Sequence, residues 1–107
     1  MKTTYLAETP VLVVTKGTNL GESYKLSKEA PISIGRSRIN EIRPFDGSIS
    51  AQHCRIIPEN GKHVLYDLGS TNGTLLNNQK VTKAILKEGD TIGVGETTMQ
   101  YKIDHTR

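Results

Sequence analysis

The apolar residues of this 107-residue chain fall in short runs separated by turn-forming residues. The runs are "VLVVT" (Val11–Thr15), "ESYKL" (Glu22–Leu26), "ISIG" (Ile32–Gly35), "CRII" (Cys54–Ile57) and "HVLYDL" (His63–Leu68). They continue with "TLL" (Thr74–Leu76), "AIL" (Ala84–Leu86), "TIGV" (Thr91–Val94) and "TTMQYKI" (Thr97–Ile103). Among them stand "GTNLG" (Gly17–Gly21), "ENGK" (Glu59–Lys62), "LNNQ" (Leu76–Gln79) and "KEGD" (Lys87–Asp90). These favour chain reversal, through Gly and Asn at positive φ or through Asn and Asp side chains bonding to nearby backbone. In the last run Met99, Tyr101 and Ile103 alternate with Thr98, Gln100 and Lys102, the period of an antiparallel strand with one buried face. No helical period extends over a stretch of helix length. Short strands at roughly ten-residue spacing predict an all-β fold, an antiparallel β-sandwich of about 10–11 strands.

The length allows one domain. The run pattern places it at residues 11–104, with a flexible N-terminal arm at 1–10 and a short tail at 105–107. Two segments stand out from the strand rhythm. "RSRINEIRPFDGSISAQH" (Arg36–His53) is too long and polar for a hairpin turn, and "DLGSTNGTLLN" (Asp67–Asn77) crowds Gly, Asn, Thr and Ser together. Long loops on a rigid scaffold often carry function. If both leave the same end of the sandwich, their polar groups converge.

Composition narrows the function classes. No run approaches the roughly 20 apolar residues of a membrane helix, and "MKTTYLAETP" lacks the apolar segment of a signal peptide. A soluble, cytoplasmic protein is expected. The one cysteine, Cys54, has no disulfide partner and sits in the apolar setting of a small core residue. Lys and Arg exceed Asp and Glu by 14 − 11 = 3, which permits an anionic partner without naming one. With no Trp, one Phe and four Tyr, and with scattered basic residues, the stripe of a nucleic-acid binder is missing.

Catalysis finds little support. "GSTNGT" lacks the Lys-Ser/Thr pair and the following helix of a phosphate loop. Ser50 and His53 have no nucleophile elbow around them. His53, His63 and His105 lack metal-ligand spacing, so neither a metal nor another cofactor is expected. Binding is the stronger reading. Arg36 ends a predicted strand, where a guanidinium fork can match two phosphate oxygens. Taken singly, Arg36 reads first as a solvated charge, Ser50 as a turn, and Thr71 and Asn72 as parts of a hairpin.

Together, "IGRS" (Ile34–Ser37), "SISAQH" (Ser48–His53) and "DLGSTNGTLLN" resemble the forkhead-associated (FHA) domain, whose pattern is Gly-Arg, Ser-x-x-His and a Ser/Thr-x-Asn-Gly-type loop in that order. The resemblance runs from about Val11 to Ile103. It implies a non-catalytic module that binds phosphothreonine segments through loops at one end of a sandwich, with a Ser/Thr kinase or its substrate as partner. By position, Arg36 and Ser50 would bond the phosphate and Thr71 would add a donor, with Ser70 beside it in the binding loop. Asn72 would hold the peptide backbone. His53 would brace the loop that aims Ser50, Gly35 would permit close packing, and Gly73 would supply a positive-φ turn. The chain departs from the family at Ala51, where Asn or Arg is frequent, and at Ser48, where some members carry an Arg that reads an acidic residue downstream. The alternatives are an FHA interaction domain independent of phosphate and a small basic β-domain binding nucleic acid. The arm adds a separate expectation: phosphorylation of Thr3, Thr4 or Thr9 would let it fold back onto the site.

Overall fold

The computed structural model describes residues 7–106. In chain order the strands are β1 (Ala7–Lys16), β2 (Ser23–Lys25), β3 (Ile32–Ile34), β4 (Cys54–Glu59) and β5 (Lys62–Asp67). They continue with β6 (Thr74–Leu76), β7 (Gln79–Val81), β8 (Lys83–Ile85), β9 (Thr91–Val94) and β10 (Thr97–Thr106). One sheet has the order β2-β1-β10-β9-β6-β7 and the other β3-β4-β5-β8, with antiparallel pairing between neighbours. The expected all-β sandwich is therefore the fold. No helix among the described residues is long and apolar enough to cross a membrane.

Alternation builds the core. Leu12 and Val14 of β1, Met99 and Tyr101 of β10, and Ile92 and Val94 of β9 face Ile34, Cys54, Ile56 and Leu65 of the other sheet. Each such side chain stabilises the fold by about 1.5–3 kcal/mol on burial. Cys54 lies wholly inside this layer, and burial pushes its thiol up to about 12. It is a protonated core residue and not a nucleophile.

Two boundaries differ from the expected ones. β1 begins at Ala7, where residue 7 pairs with Thr106, and Pro10 pairs with Ile103. Residues 7–10 therefore belong to the sheet and not to an arm, and residues 105 and 106 belong to β10 and not to a tail. Pro10 is tolerated because its carbonyl supplies the ladder contact on the β2 side, accepting from Leu26 N–H at 2.8 Å. Thr9 is fixed opposite Asp104 in this ladder, and Thr3 and Thr4 lie outside the described residues. A third difference is β7, which the run pattern leaves inside a turn. It is an edge strand with Gln79 and Lys80 exposed, so its sequence carries little apolar signal.

The long segment between β3 and β4 is the feature that positions the site. It is nailed to the core by Ile42 and Ile49, which are 0% and 1% exposed. Ile42 also bridges Ile34 of β3, giving its carbonyl to Gly35 N–H at 3.1 Å and its N–H to Ser33 O at 3.0 Å. The loop is long in sequence but tied down along its length.

Candidate functional site

Four connections meet at one end of the sandwich: residues 17–22, 35–53, 68–73 and the β9–β10 turn at 95–96. Hydrogen bonds stitch them together. Phe45 N–H donates to Asn19 Oδ1 at 2.7 Å, Glu96 N–H to Asp46 Oδ2 at 2.9 Å, and Asn72 Nδ2 to Ser48 O at 2.9 Å. The two polar segments picked out in the sequence do leave the same end.

Ser50 is the hub. Its carbonyl accepts from Arg36 N–H at 3.0 Å, which seats the root of the Arg36 side chain beside it. Its hydroxyl oxygen accepts from Thr71 N–H at 2.9 Å, and the hydroxyl proton remains to be donated outward. Arg36, Thr71 and Asn72 are exposed, while Ser50 is half-buried. The expected binding residues Arg36, Ser50, Thr71 and Asn72 are thus brought onto one surface. In this state the Asn72 amide holds the neighbouring loop through Ser48.

Ser70 is placed differently. Its hydroxyl donates to Asp67 Oδ1 and its N–H to Asp67 Oδ2. With its proton spent inside the loop, Ser70 shapes the turn and has no donor left to offer an anion.

His53 is wholly buried. Its Nδ1 accepts from Ser50 N–H at 3.1 Å, and its Nε2 lies 2.9 Å from Gly73 O. A carbonyl can only accept, so the proton sits on Nε2 and the ring is the neutral tautomer. The imidazole joins the Ser50 loop to the Gly73 turn through backbone alone. Because both ring nitrogens are occupied in this way, His53 is not a base for the Ser50 hydroxyl. Gly73 has φ of 83°, which an L side chain adopts at a cost.

Gly35 answers a different demand. A Cβ there would fall on the Ala51 carbonyl and within 2.6 Å of Asn40 Nδ2. That carbonyl accepts from Asn40 Nδ2 at 2.7 Å and from Ser37 N–H at 3.1 Å. The absent side chain at residue 35 lets the segment carrying Ser50 press against the one carrying Arg36.

Two carboxylates and one amide were not singled out from sequence. Asp67 accepts from Gly69 N–H, Ser70 N–H, the Ser70 hydroxyl and the Thr74 hydroxyl. Partial burial pushes its carboxyl up, but these four donors outweigh it and hold the group below the ordinary 3.8. Asp46 is built alike. Burial opposes its charge, and Ser48 N–H, the Ser48 hydroxyl, Glu96 N–H and the Thr97 hydroxyl over-compensate, lowering it as well. Asn40, 5% exposed, ties Ser37 to Ala51. The local half of each carboxylate pattern was visible as "DLGS" and "DGS", an Asp followed by Gly and Ser whose N–H groups can turn back to it. The bonds to Thr74, Glu96 and Thr97 were not.

Comparison with known proteins follows the same outline. A family model described as FHA domain matches residues 32–95. An FHA domain-containing protein of Arabidopsis thaliana is 42% identical over 91 residues, which is 81% of this chain and 24% of that protein. The glycogen accumulation regulator GarA of Mycobacterium tuberculosis is 35% identical over 91 residues, 85% of this chain and 56% of its own length. The chain therefore spans less than two thirds of these relatives. A solved structure from a study of phosphothreonine-dependent FHA domain interactions superposes with a TM-score of 0.81 at 31% identity, covering 90% of this chain and 97% of that one. The FhaA FHA domain, solved in complex with the intracellular domain of a second protein, gives 0.79 at 32% identity, with 87% and 99% covered.

Proposed function

The chain belongs to the forkhead-associated family, and on that premise we propose that it is a non-catalytic module binding phosphothreonine-containing protein segments in Ser/Thr kinase signalling. The observation that carries this reading is the double engagement of Ser50, whose carbonyl takes Arg36 N–H and whose hydroxyl oxygen takes Thr71 N–H. The result is a guanidinium, a serine proton and a threonine hydroxyl on one exposed surface. A phosphothreonine brings nearly two negative charges and three strong acceptor oxygens. Each charge-assisted bond contributes about 1.5–3 kcal/mol. Micromolar affinity requires about 8 kcal/mol; three such bonds supply about 4.5–9 kcal/mol, and backbone contacts through Asn72 add to them against the cost of association. The partner is a phosphorylated protein, either a Ser/Thr kinase or its substrate.

The test is a titration with matched phosphorylated and unphosphorylated threonine peptides. Wild-type protein should bind only the phosphorylated form. Arg36→Ala should cost at least about 2 kcal/mol, roughly thirtyfold, with an unchanged melting temperature because Arg36 is exposed. Equal affinity for the two peptides would defeat the reading.

A further inference from the structure

Phe45 is 80% exposed, the most exposed large hydrophobic side chain among the described residues. Single exposed apolar residues are common and ordinarily mean nothing. This one is held out from both sides. Pro44 before it is buried, and its own N–H is given to Asn19 Oδ1 at 2.7 Å. Asp46 after it is locked by Ser48, Glu96 and Thr97. The backbone on both sides of the ring is thus held by hydrogen bonds, and the ring it carries stands in solvent.

Beside the ring lies a cleft of about 390 Å³ lined by Arg36, Arg43, Pro44, Phe45, Asp46 and Gly47. Arg36 is shared with the surface proposed for phosphate, so the cleft and that surface are continuous. Asp46 is ionised, but its oxygens are engaged by the donors named above. The other groups at the cleft are a ring, a pyrrolidine, a glycine backbone and two exposed arginines whose stems are aliphatic. The ring's other side is different: the neighbouring cleft there carries Lys16, Thr18 and Glu96. An apolar group arriving at this edge therefore has one side on which to lie.

We propose that this cleft takes a large apolar side chain, such as Leu, Met or Phe, that flanks the phosphothreonine in the bound segment, with Phe45 as the contact that selects it. The inference rests on the phosphothreonine reading above and adds to it a specificity-determining residue. Preorganisation favours the contact: the backbone that carries the ring is already held, so only the side-chain torsions of Phe45 are left to order on binding. An aromatic–apolar contact with burial is worth about a tenfold preference.

The test uses phosphothreonine peptides in which each flanking position is varied in turn among Ala, Leu, Phe, Glu and Lys. Affinities are measured for wild type, Phe45→Ala and Phe45→Leu. At one flanking position wild type should favour Leu or Phe over Ala by about tenfold. Phe45→Ala should reduce that to within about twofold and Phe45→Leu should recover part of it, while both keep their preference for the phosphorylated form. Melting temperatures should be unchanged, since the ring is exposed. If wild type depends on phosphate but Phe45→Ala ranks the peptides identically, or if Glu is favoured at that position, this inference alone is overturned. If wild type ignores phosphate, both readings fall together.

Discussion

Two buried histidines sit at opposite ends of the sandwich. His53, at the loop end, joins Ser50 N–H to Gly73 O. His63, at the far end, has Nε2 2.7 Å from Ser27 O and Nδ1 2.9 Å from the Tyr101 hydroxyl. Nε2 donates to the Ser27 carbonyl, which can only accept, and Nδ1 shares a hydrogen bond with the Tyr101 hydroxyl. Each ring is a brace between segments distant in sequence. What differs is the cargo. The far-end brace secures a tyrosine inside the core and a turn outside it, whereas the loop-end brace secures the backbone of a residue whose side chain faces outward. A buried histidine is therefore architectural in both places, and only the one beside Ser50 supports the surface proposed for phosphate.

The comparison is broken most directly by substituting each histidine. His53→Ala should cost about 3 kcal/mol of stability, since it empties a fully buried site and leaves a backbone donor and acceptor unpaired. It should also weaken phosphopeptide binding more than tenfold. His63→Ala should cost about 2 kcal/mol, with peptide affinity within twofold of wild type for the protein that remains folded. Equal loss of binding in both variants would mean that the two ends are coupled. Asp67→Ala comes next. It strands the buried Thr74 hydroxyl and frees the 69–70 turn, so about 2 kcal/mol should be lost in denaturant titration.

Acid should separate the ends further. Asp46 and Asp67 have lowered folded values, so the stability they confer is fully present above the ordinary 3.8 and is lost as pH falls through the lower folded value. Amide resonances of Ser48, Gly69, Ser70 and Glu96 should shift together below about pH 3.8, ahead of those in the Asn60–Gly61 turn. Simultaneous movement of the two sets would show that acid unfolds the domain as a unit. The smallest effect is at the far end. Asn60 has φ of 51°, so Asn60→Gly should stay within about 0.5 kcal/mol, while Asn60→Ala should cost about 1 kcal/mol through its Cβ in that conformation.

The same contrast explains what the sequence made legible. Far-end reversals are local matters: Asn60, Asn77 and Asn78 all adopt positive φ, and "ENGK" and "LNNQ" announced them. Alternation in "TTMQYKI" likewise placed Met99 and Tyr101 inside, because period two is set by the strand itself. β7 escaped because a three-residue edge strand displays only Val81 to the core. At the loop end the motif residues Arg36, Ser50, Thr71 and Asn72 could be named, yet their support could not. Asp46 reaches Thr97 across 51 residues, and Asn40 reaches Ala51 across 11. Such partners are chosen by tertiary approach and leave no spacing to read. Ser70 shows the converse, since its position in the motif says nothing of a hydroxyl already bound to Asp67.

β1 and β10 are neighbours in the larger sheet, with residue 7 opposite Thr106. Both strands therefore point their outer ends away from Arg36 and Ser50. Anything joined to the domain, before β1 or after β10, attaches at a single place on the side remote from the loops. Residues 7 and 106 thus mark one place at which the domain can be tethered or labelled without touching Arg36, Ser50, Thr71 or Asn72.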